Sequence, residues 1–236
     1  ERMKENMADY DRLADKVQTV PDVVAATPFV LRQVLLTTQS GVQGVVLRGI
    51  DPKREANVTE LGKNITAGQL IDLLTPIKVM QAPADDPQGA PRLVEKPGII
   101  LGKELALRLG VFIGDTVNVV SPVGPISAMG MVPKIRTFAV VALFHSGMYE
   151  YDSSLAYIEL GEAQKFFNMA ASVSGVEVKV TDVFRAADIA RNIEQELGFS
   201  HGARDWMQMN RNLFSALKLE KTMMFLLLVL ITIVAS

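Results

Sequence analysis

The chain has 236 residues, a formal net charge of −2 and no cysteine. This length is enough for one large unit or two modest ones with proper cores, and we expect two domains. The near-balanced charge gives no general electrostatic attraction to nucleic acid, because nucleic-acid-binding proteins usually present a basic face. The absence of cysteine excludes a disulfide scaffold and a thiolate metal site.

The first part of the chain predicts an amphipathic helix followed by a β-hairpin. Apolar residues recur at helical spacing from residue 3 to residue 20, and Pro21 ends the pattern. The next two runs, 23–38 and 42–50, are rich in β-branched residues and flank the short polar segment 39–41. We therefore expect one helix and two paired strands at the start.

The middle of the chain predicts a β-rich unit. A boundary falls near residue 60, and a turn-rich surface loop follows at residues 82–91. Beyond the loop, short apolar runs alternate with helical patterns. In chain order these elements are a strand at 98–102, a helix at 103–109, a strand at 116–120, two strands at 136–144 and 154–159, and a helix at 161–169. Residues 149–152 form either a turn between the last two strands or a rim near the segment 121–133, and the turn is favoured.

The last part of the chain predicts a strand and a helix that resemble the opening elements. The strand covers residues 175–180, Asp182 caps the helix, and Gly198 ends it. The economical arrangement is an α+β protein in which both chain ends build one α/β domain and a β-rich domain is inserted between them. The predicted parts are 1–60, the inserted domain 61–171, the second part 172–209, and a stalk with the start of a membrane helix at 210–236.

An unbroken apolar run, Met223–Ala235, lies at the end of the chain. A transmembrane helix needs at least about 18 apolar residues, so this run predicts a membrane span that is cut short. A buried core helix is the alternative, but such a helix normally keeps a polar stripe. The start at Glu1 instead of methionine predicts a fragment from which an earlier membrane segment is missing.

Three stretches of the sequence carry a resemblance to a known family. They are Leu47–Pro52, Ile99–Val117 and, most specifically, Asp205–Met224 with its Leu219-Glu220-Lys221. The chain resembles the periplasmic region of LolC/LolE-type permease subunits, including the hybrid LolF type, within the MacB- and FtsX-like class of ABC transporter membrane proteins. The resemblance implies a MacB-like fold, with a "porter" domain from both chain ends, an inserted "sabre" domain and flanking transmembrane helices.

The resemblance also implies a function. LolC/LolE-type subunits sit in the bacterial inner membrane, face the periplasm, and release acylated lipoproteins to the periplasmic carrier LolA. The sequence has no Gly-x-x-x-x-Gly-Lys-Ser/Thr phosphate loop, so a separate LolD-type ATPase would hydrolyse ATP. The second permease subunit would be LolE-like or identical. The alternatives are a MacB-type efflux subunit and an FtsX-type mechanotransmission subunit; a membrane-tethered enzyme has no catalytic constellation in the sequence.

The segment 121–133 is the candidate partner-binding site. Loops are normally polar, but this one carries apolar side chains on a proline-stiffened backbone, which lowers the entropy cost of binding. From the residues alone, a β-hairpin folded back onto its own domain is preferred. The resemblance instead implies a "hook" that inserts into the LolA-type carrier. The predicted hook residues are Pro122, Pro125, Ile126, Met129, Gly130, Met131, Val132 and Pro133.

A polar, basic "pad" accompanies the hook in the family. Arg136 matches one pad position, whereas Asn118 and Ile135 stand where a basic and an amide residue occur, so the pad is expected to be weaker in this chain. The two histidines, His145 and His201, have no ligands at metal spacing, and we expect neither a metal nor a cofactor.

Overall fold

The structure is a computed structural model that describes residues 7, 9–81, 92–122, 126–127, 130–198 and 202–235. Its α-helices are α1 (Tyr10–Gln18), α2 (Pro52–Val58), α3 (Leu61–Asn64), α4 (Lys103–Leu109), α5 (Tyr149–Ser154), α6 (Leu160–Phe167), α7 (Ala186–Leu197), α8 (Trp206–Met209) and α9 (Arg211–Ala235). Short 3₁₀ helices cover Leu70–Leu74 and Val183–Arg185. Its strands are β1 (Val23–Thr37), β2 (Val42–Ile50), β3 (Ile65–Ala67), β4 (Ile77–Gln81), β5 (Arg92–Lys96), β6 (Gly98–Gly102), β7 (Thr116–Ser121), β8 (Ile126–Ser127), β9 (Gly130–Met131), β10 (Lys134–Phe144), β11 (Leu155–Glu159) and β12 (Gly175–Val180).

Six strands close into a ring in the order β1-β2-β11-β6-β10-β7, and β7 pairs back onto β1. Side chains alternate across each strand, so every second residue faces the interior of the ring. Each strand contributes two buried apolar side chains to this interior. They are Val34, Leu36, Val45, Leu47, Ala156, Ile158, Ile99, Leu101, Phe138, Val140, Val117 and Val119.

Helices α4 and α6 complete this core. Leu105 and Leu109 from α4 and Phe166 from α6 are fully buried in it, and the rings of Phe138 and Phe166 meet edge to face with centroids 6.4 Å apart. Helix α6 approaches β2 so closely that a Cβ at Gly49 would lie 2.4 Å from the Cβ of Ala163. The ring is therefore a packed core and not a channel.

A second core covers part of the outer wall of the ring. Ile100, Val141 and Tyr157 point outward and are buried under the segment 52–74. The remaining wall, formed by the ends of β1, β7 and β10, keeps apolar side chains in solvent, including Leu35 and Ile135.

A third core joins the two ends of the chain. Ala14 and Val17 of α1 pack with Ile189 and Ile193 of α7, and β12 pairs with the first half of β1. This confirms the α+β fold in which both chain ends meet. The ring combines β1 and β2 with four strands from residues 61–171, and the domain boundaries stay a prediction.

Most predicted strands and helices lie within a few residues of the observed ones, with three corrections. The described first helix is Tyr10–Gln18, and Met7, which was predicted to lie in the helix, forms a β-bridge with Val173. The turn predicted at 149–152 is helix α5. Asp182 caps a 3₁₀ turn, accepting a hydrogen bond from the Phe184 N–H at 2.9 Å, and α7 starts only at Ala186. The predicted loop at 82–91 lies outside the described residues.

Helix α9 carries the apolar run and has no buried residue. Its first turns contact α8 through Phe214 and Trp206, whose ring centroids are 5.2 Å apart. Among the residues that the structure describes, none of the helices has both the length and the hydropathy of a membrane span.

Candidate functional site

The predicted hook is the tip of a two-stranded ribbon. Strands β7 and β10 run antiparallel, and their last pair is Ser121 with Lys134. Beyond that pair, β8 and β9 form a short hairpin in which Ile126 lies opposite Met131. Pro122, Val132 and Pro133 are exposed at its base. Pro125 and Met129 lie outside the described residues. A hairpin fits both the hook and the self-packed alternative, so carrier contact stays a prediction.

The register of the ribbon places the two predicted pad residues on opposite faces. Arg136 lies opposite Val119, which faces the core, whereas Asn118 lies opposite Thr137 on the outer wall. The Asn118 Oδ1 accepts a hydrogen bond from the Thr137 hydroxyl at 2.7 Å. Because side chains alternate along a strand, the two residues cannot form one continuous patch on the same face of the sheet.

Cations on the inner face are held by α6. Arg136 is ion-paired with Glu162, and its guanidinium lies 5.5 Å from the centroid of the Phe138 ring. The Lys134 ammonium donates to the Asn168 Oδ1 at 2.9 Å. Sequence reasoning missed Glu162 and Lys134, because nothing local indicates that α6 packs beside the hook.

The outer face carries an apolar row where a pad was expected. Leu35, Val120 and Ile135 are direct cross-strand neighbours on β1, β7 and β10. Leu35 is 41% exposed and Ile135 is 62% exposed. A groove of about 440 Å³ adjoins this row and is lined by Leu35, Gly44, Val46 and Pro122. We call Leu35, Val120 and Ile135 the apolar row.

A buried carboxylate, Asp152, organises the end of β10. Its Oδ1 accepts hydrogen bonds from the Ser146 backbone N–H at 2.7 Å and the Ser146 hydroxyl at 2.8 Å, and the His145 Nδ1 lies 2.6 Å from its Oδ2. Burial alone raises the pKa of Asp152, but these contacts lower it below the ordinary 3.8 overall. His145 is thus tied to a structural carboxylate. The described residues contain no cluster of His, Cys, Asp or Glu that could hold a metal ion.

A second buried carboxylate, Glu55, lies near Arg48, which also contacts Glu177 on the edge strand β12. Arg48 on β2 lies 3.9 Å from Glu55 and is ion-paired with Glu177 on β12. Burial raises the pKa of Glu55, although Arg48 and a hydrogen bond from the Thr59 hydroxyl at 3.1 Å oppose that rise. The cluster links α2, the ring and β12.

No family model matches the chain. Its fold is that of the extracellular domain of an ABC-type transporter, because the crystal structure of that domain of noncanonic YknZ from Gram-positive bacteria superposes with a TM-score of 0.50. That match has 14% identity and covers 85% of this chain and 87% of the other.

Relatives found by sequence similarity identify the family within the ABC-type transporters. LolC of the lipoprotein-releasing system of Neisseria meningitidis serogroup B is 34% identical over 97% of this chain and 51% of its own length. LolE of Haemophilus influenzae is 21% identical over 96% of this chain and 50% of its own length. The chain belongs to the LolC/LolE family of ABC transporter permease subunits. It spans about half the length of these curated relatives.

Proposed function

We propose that the chain is the periplasmic domain of an inner-membrane transporter subunit that releases lipoproteins bound for the outer membrane and passes them to a LolA-type carrier. The observation that carries the proposal is the β8–β9 hairpin at the tip of the β7–β10 ribbon in a LolC/LolE chain. The hairpin would be the hook that enters the carrier, and the pieces 1–60 and 172–209 would form the porter domain around the inserted sabre.

The ribbon supports such a role because it is held on several sides. Strand β7 pairs with β1 as well as with β10. On the other side of the ribbon, Lys134 and Arg136 are tied to α6. A preorganised hairpin loses little conformational entropy when a partner covers it, which favours binding.

The apolar row supports carrier contact beside the hook. The row lies on the outer wall next to Pro122. The predicted pad residue on the same face, Asn118, is hydrogen-bonded to Thr137. Because Arg136 is paired with Glu162 on the other face, we expect the carrier interface of this chain to be mainly apolar. Apolar contacts depend less on salt than contacts between exposed charges.

The remaining partners follow from the same proposal. A separate LolD-type ATPase supplies the energy, a LolE-like or identical subunit completes the permease, and a lipoprotein is the substrate. Helix α9 enters the lipid bilayer, with Lys218 and Lys221 near the head groups. Motion of this helix reaches the domain through Trp206 and Phe214.

A binding titration tests the proposal. The purified chain is titrated with the LolA-type carrier of the same organism, with residues 123–132 either intact or replaced by Gly-Ser. We expect binding that vanishes with the replacement, since the hook is the anchor. Unchanged binding would exclude the hook, and absence of binding by the intact chain would contradict the carrier assignment.

A matched pair of variants then tests the apolar row. Ile135→Asp should weaken carrier binding by about tenfold or more, the loss of roughly two buried methylene groups. Leu107→Asp, at an equally exposed apolar position on α4, should leave binding unchanged. Affinity should change little between about 0.05 M and about 0.5 M salt. A steep loss with salt would show instead that charged groups dominate the interface.

A further inference from the structure

A cavity of about 760 Å³ lies between α7, the edge strand β12 and residues 202–209. Its volume is in the range of about 300 to 1,000 Å³ that is typical of small-molecule sites. It lies nearer the start of β1 than the apolar row does, on the side of the domain where α1 and α7 pack together. The apolar residues of its lining include Phe29, Leu31, Val178, Ile189, Trp206 and Met209.

The cavity exists because α7 presents small side chains there. Ala186 and Ala190 are four residues apart, so they lie on the same face of the helix, and both line the cavity. The neighbouring Ile189 and Ile193 hold α7 against the core of α1 and β12. Larger side chains at the two alanine positions would fill the space.

Trp206 stands at the wall of this cavity in a fixed orientation. Its indole N–H donates to the Val183 carbonyl at 3.0 Å, and its ring contacts Phe214. Asp205 caps α8, accepting a hydrogen bond from the Gln208 N–H at 2.6 Å. A tryptophan with its N–H bonded and its ring against apolar groups is typical of the boundary between water and lipid.

The residues in and around the cavity indicate which kind of ligand fits it. The cavity adjoins α8, which leads into α9, and the apolar side chains of α9 between Met223 and Val234 are exposed. The charged groups that line it already have partners within the protein. Arg48 is ion-paired with Glu177, Lys179 lies 3.9 Å from Glu60, and Arg32 donates to the Ser174 hydroxyl at 3.2 Å. A long, uncharged and flexible chain suits such walls, because its burial removes apolar surface from water at no electrostatic cost.

We propose that this cavity binds an acyl chain. This acyl chain belongs to the lipoprotein that the transporter releases, at the stage when the lipoprotein leaves the bilayer. The identity of the donor rests on the proposed function; acyl-chain binding itself does not. The site would hold one chain near the membrane end of the domain while the hairpin engages the carrier at the other end.

The single tryptophan of the chain gives a direct measurement. The protein is placed in nanodiscs of unbrominated phosphatidylcholine and titrated with 9,10-dibromostearate, whose bromine atoms quench nearby tryptophan. We expect saturable quenching of Trp206 that plain stearate reverses. Quenching that rises without saturation and is not reversed would mean simple partition into the bilayer and would overturn the proposal.

Two substitutions on α7 form a matched test. Ala190→Phe fills the cavity and should abolish saturable quenching, whereas Asn192→Phe, on the exposed side of the same helix, should preserve it. Circular dichroism checks that both variants fold. If Ala190→Phe disturbs the fold, Leu31→Asp at a half-exposed wall position replaces it, with an expected loss of affinity of about tenfold. Saturable quenching that survives these changes would place the chain elsewhere.

The source of the acyl chain is tested separately. A synthetic triacylated lipopeptide should compete with dibromostearate, which supports a lipoprotein donor. If only bilayer phospholipid with brominated chains quenches Trp206, the donor assignment is overturned and the acyl-chain site stands. The carrier titration depends on the hook and not on this cavity, so failure of either proposal can be recognised independently.

Discussion

Asp152 and Glu55 are both buried carboxylates, with exposed fractions of 0% and 1%, yet their pKa values move in opposite directions. One oxygen of Asp152 accepts two hydrogen bonds from Ser146, and the other faces His145. Glu55 accepts a hydrogen bond from the Thr59 hydroxyl at 3.1 Å, and Arg48 lies 3.9 Å away. Burial raises the pKa of both carboxylates, and the opposing contacts outweigh it at Asp152 but not at Glu55.

The largest effect on stability is expected at Gly102, which lies against Asp152. A Cβ at Gly102 would be 2.1 Å from the Asp152 carbonyl oxygen, so Gly102→Ala must displace α5. We expect a loss of about 3 kcal/mol or more in the free energy of unfolding, measured by denaturant titration. Gly41→Ala, with no atom within 4 Å of the added Cβ, is the control and should change little. Equal effects of the two changes would contradict the packing argument.

The next effect is expected at Asp152 itself. Asp152→Asn weakens the charge-assisted hydrogen bonds from Ser146 and should destabilise the protein by about 2 kcal/mol at neutral pH. Because the folded pKa is below the ordinary 3.8, the ionised carboxylate stabilises the fold above that pH, and this stability is lost as pH falls through the folded pKa. Unfolding titrations should show a smaller loss of stability in acid for the variant than for the unchanged protein. The same acid sensitivity in both would exclude Asp152 as the titrating group.

The smallest effect is expected at Glu55. The raised pKa means that the ionised carboxylate costs stability, and this cost appears as pH rises from 4.5 through the folded pKa. Glu55→Gln should therefore change the free energy of unfolding by less than about 1 kcal/mol. As pH rises, the variant should become more stable relative to the unchanged protein. A loss as large as that of Asp152→Asn would show that attraction to Arg48 outweighs burial.

The sequence was sufficient for elements whose signals are local. The β1–β2 hairpin, the order β6-α4-β7 and the stop at Gly198 follow from periodicity and turn residues, and the structure has them where they were expected. Helix α5 was missed because Glu150 and Asp152 look like solvated charges until Ser146 and His145 are placed beside them. The pairing of β7 with β1 joins residues that are far apart in sequence and leaves no local pattern.

The candidate site was predictable only in part. The prolines Pro122 and Pro133 marked its ends, and the hairpin lies between them. The division of Arg136 and Asn118 between two faces depends on the register of β10 against β7, which composition does not reveal. The apolar row depends on three strands from different parts of the chain.

The closed ring has a consequence for how this family diversifies. Strand β7 is fixed by β1 and β10, so the residues between Ser121 and Lys134 form an insertion on a scaffold whose register does not depend on them. We therefore expect substitutions and length changes there to leave the folding of the ring unchanged. Under the proposed carrier contact, exchanging the segment 122–133 between relatives would transfer partner preference while the barrel stays the same.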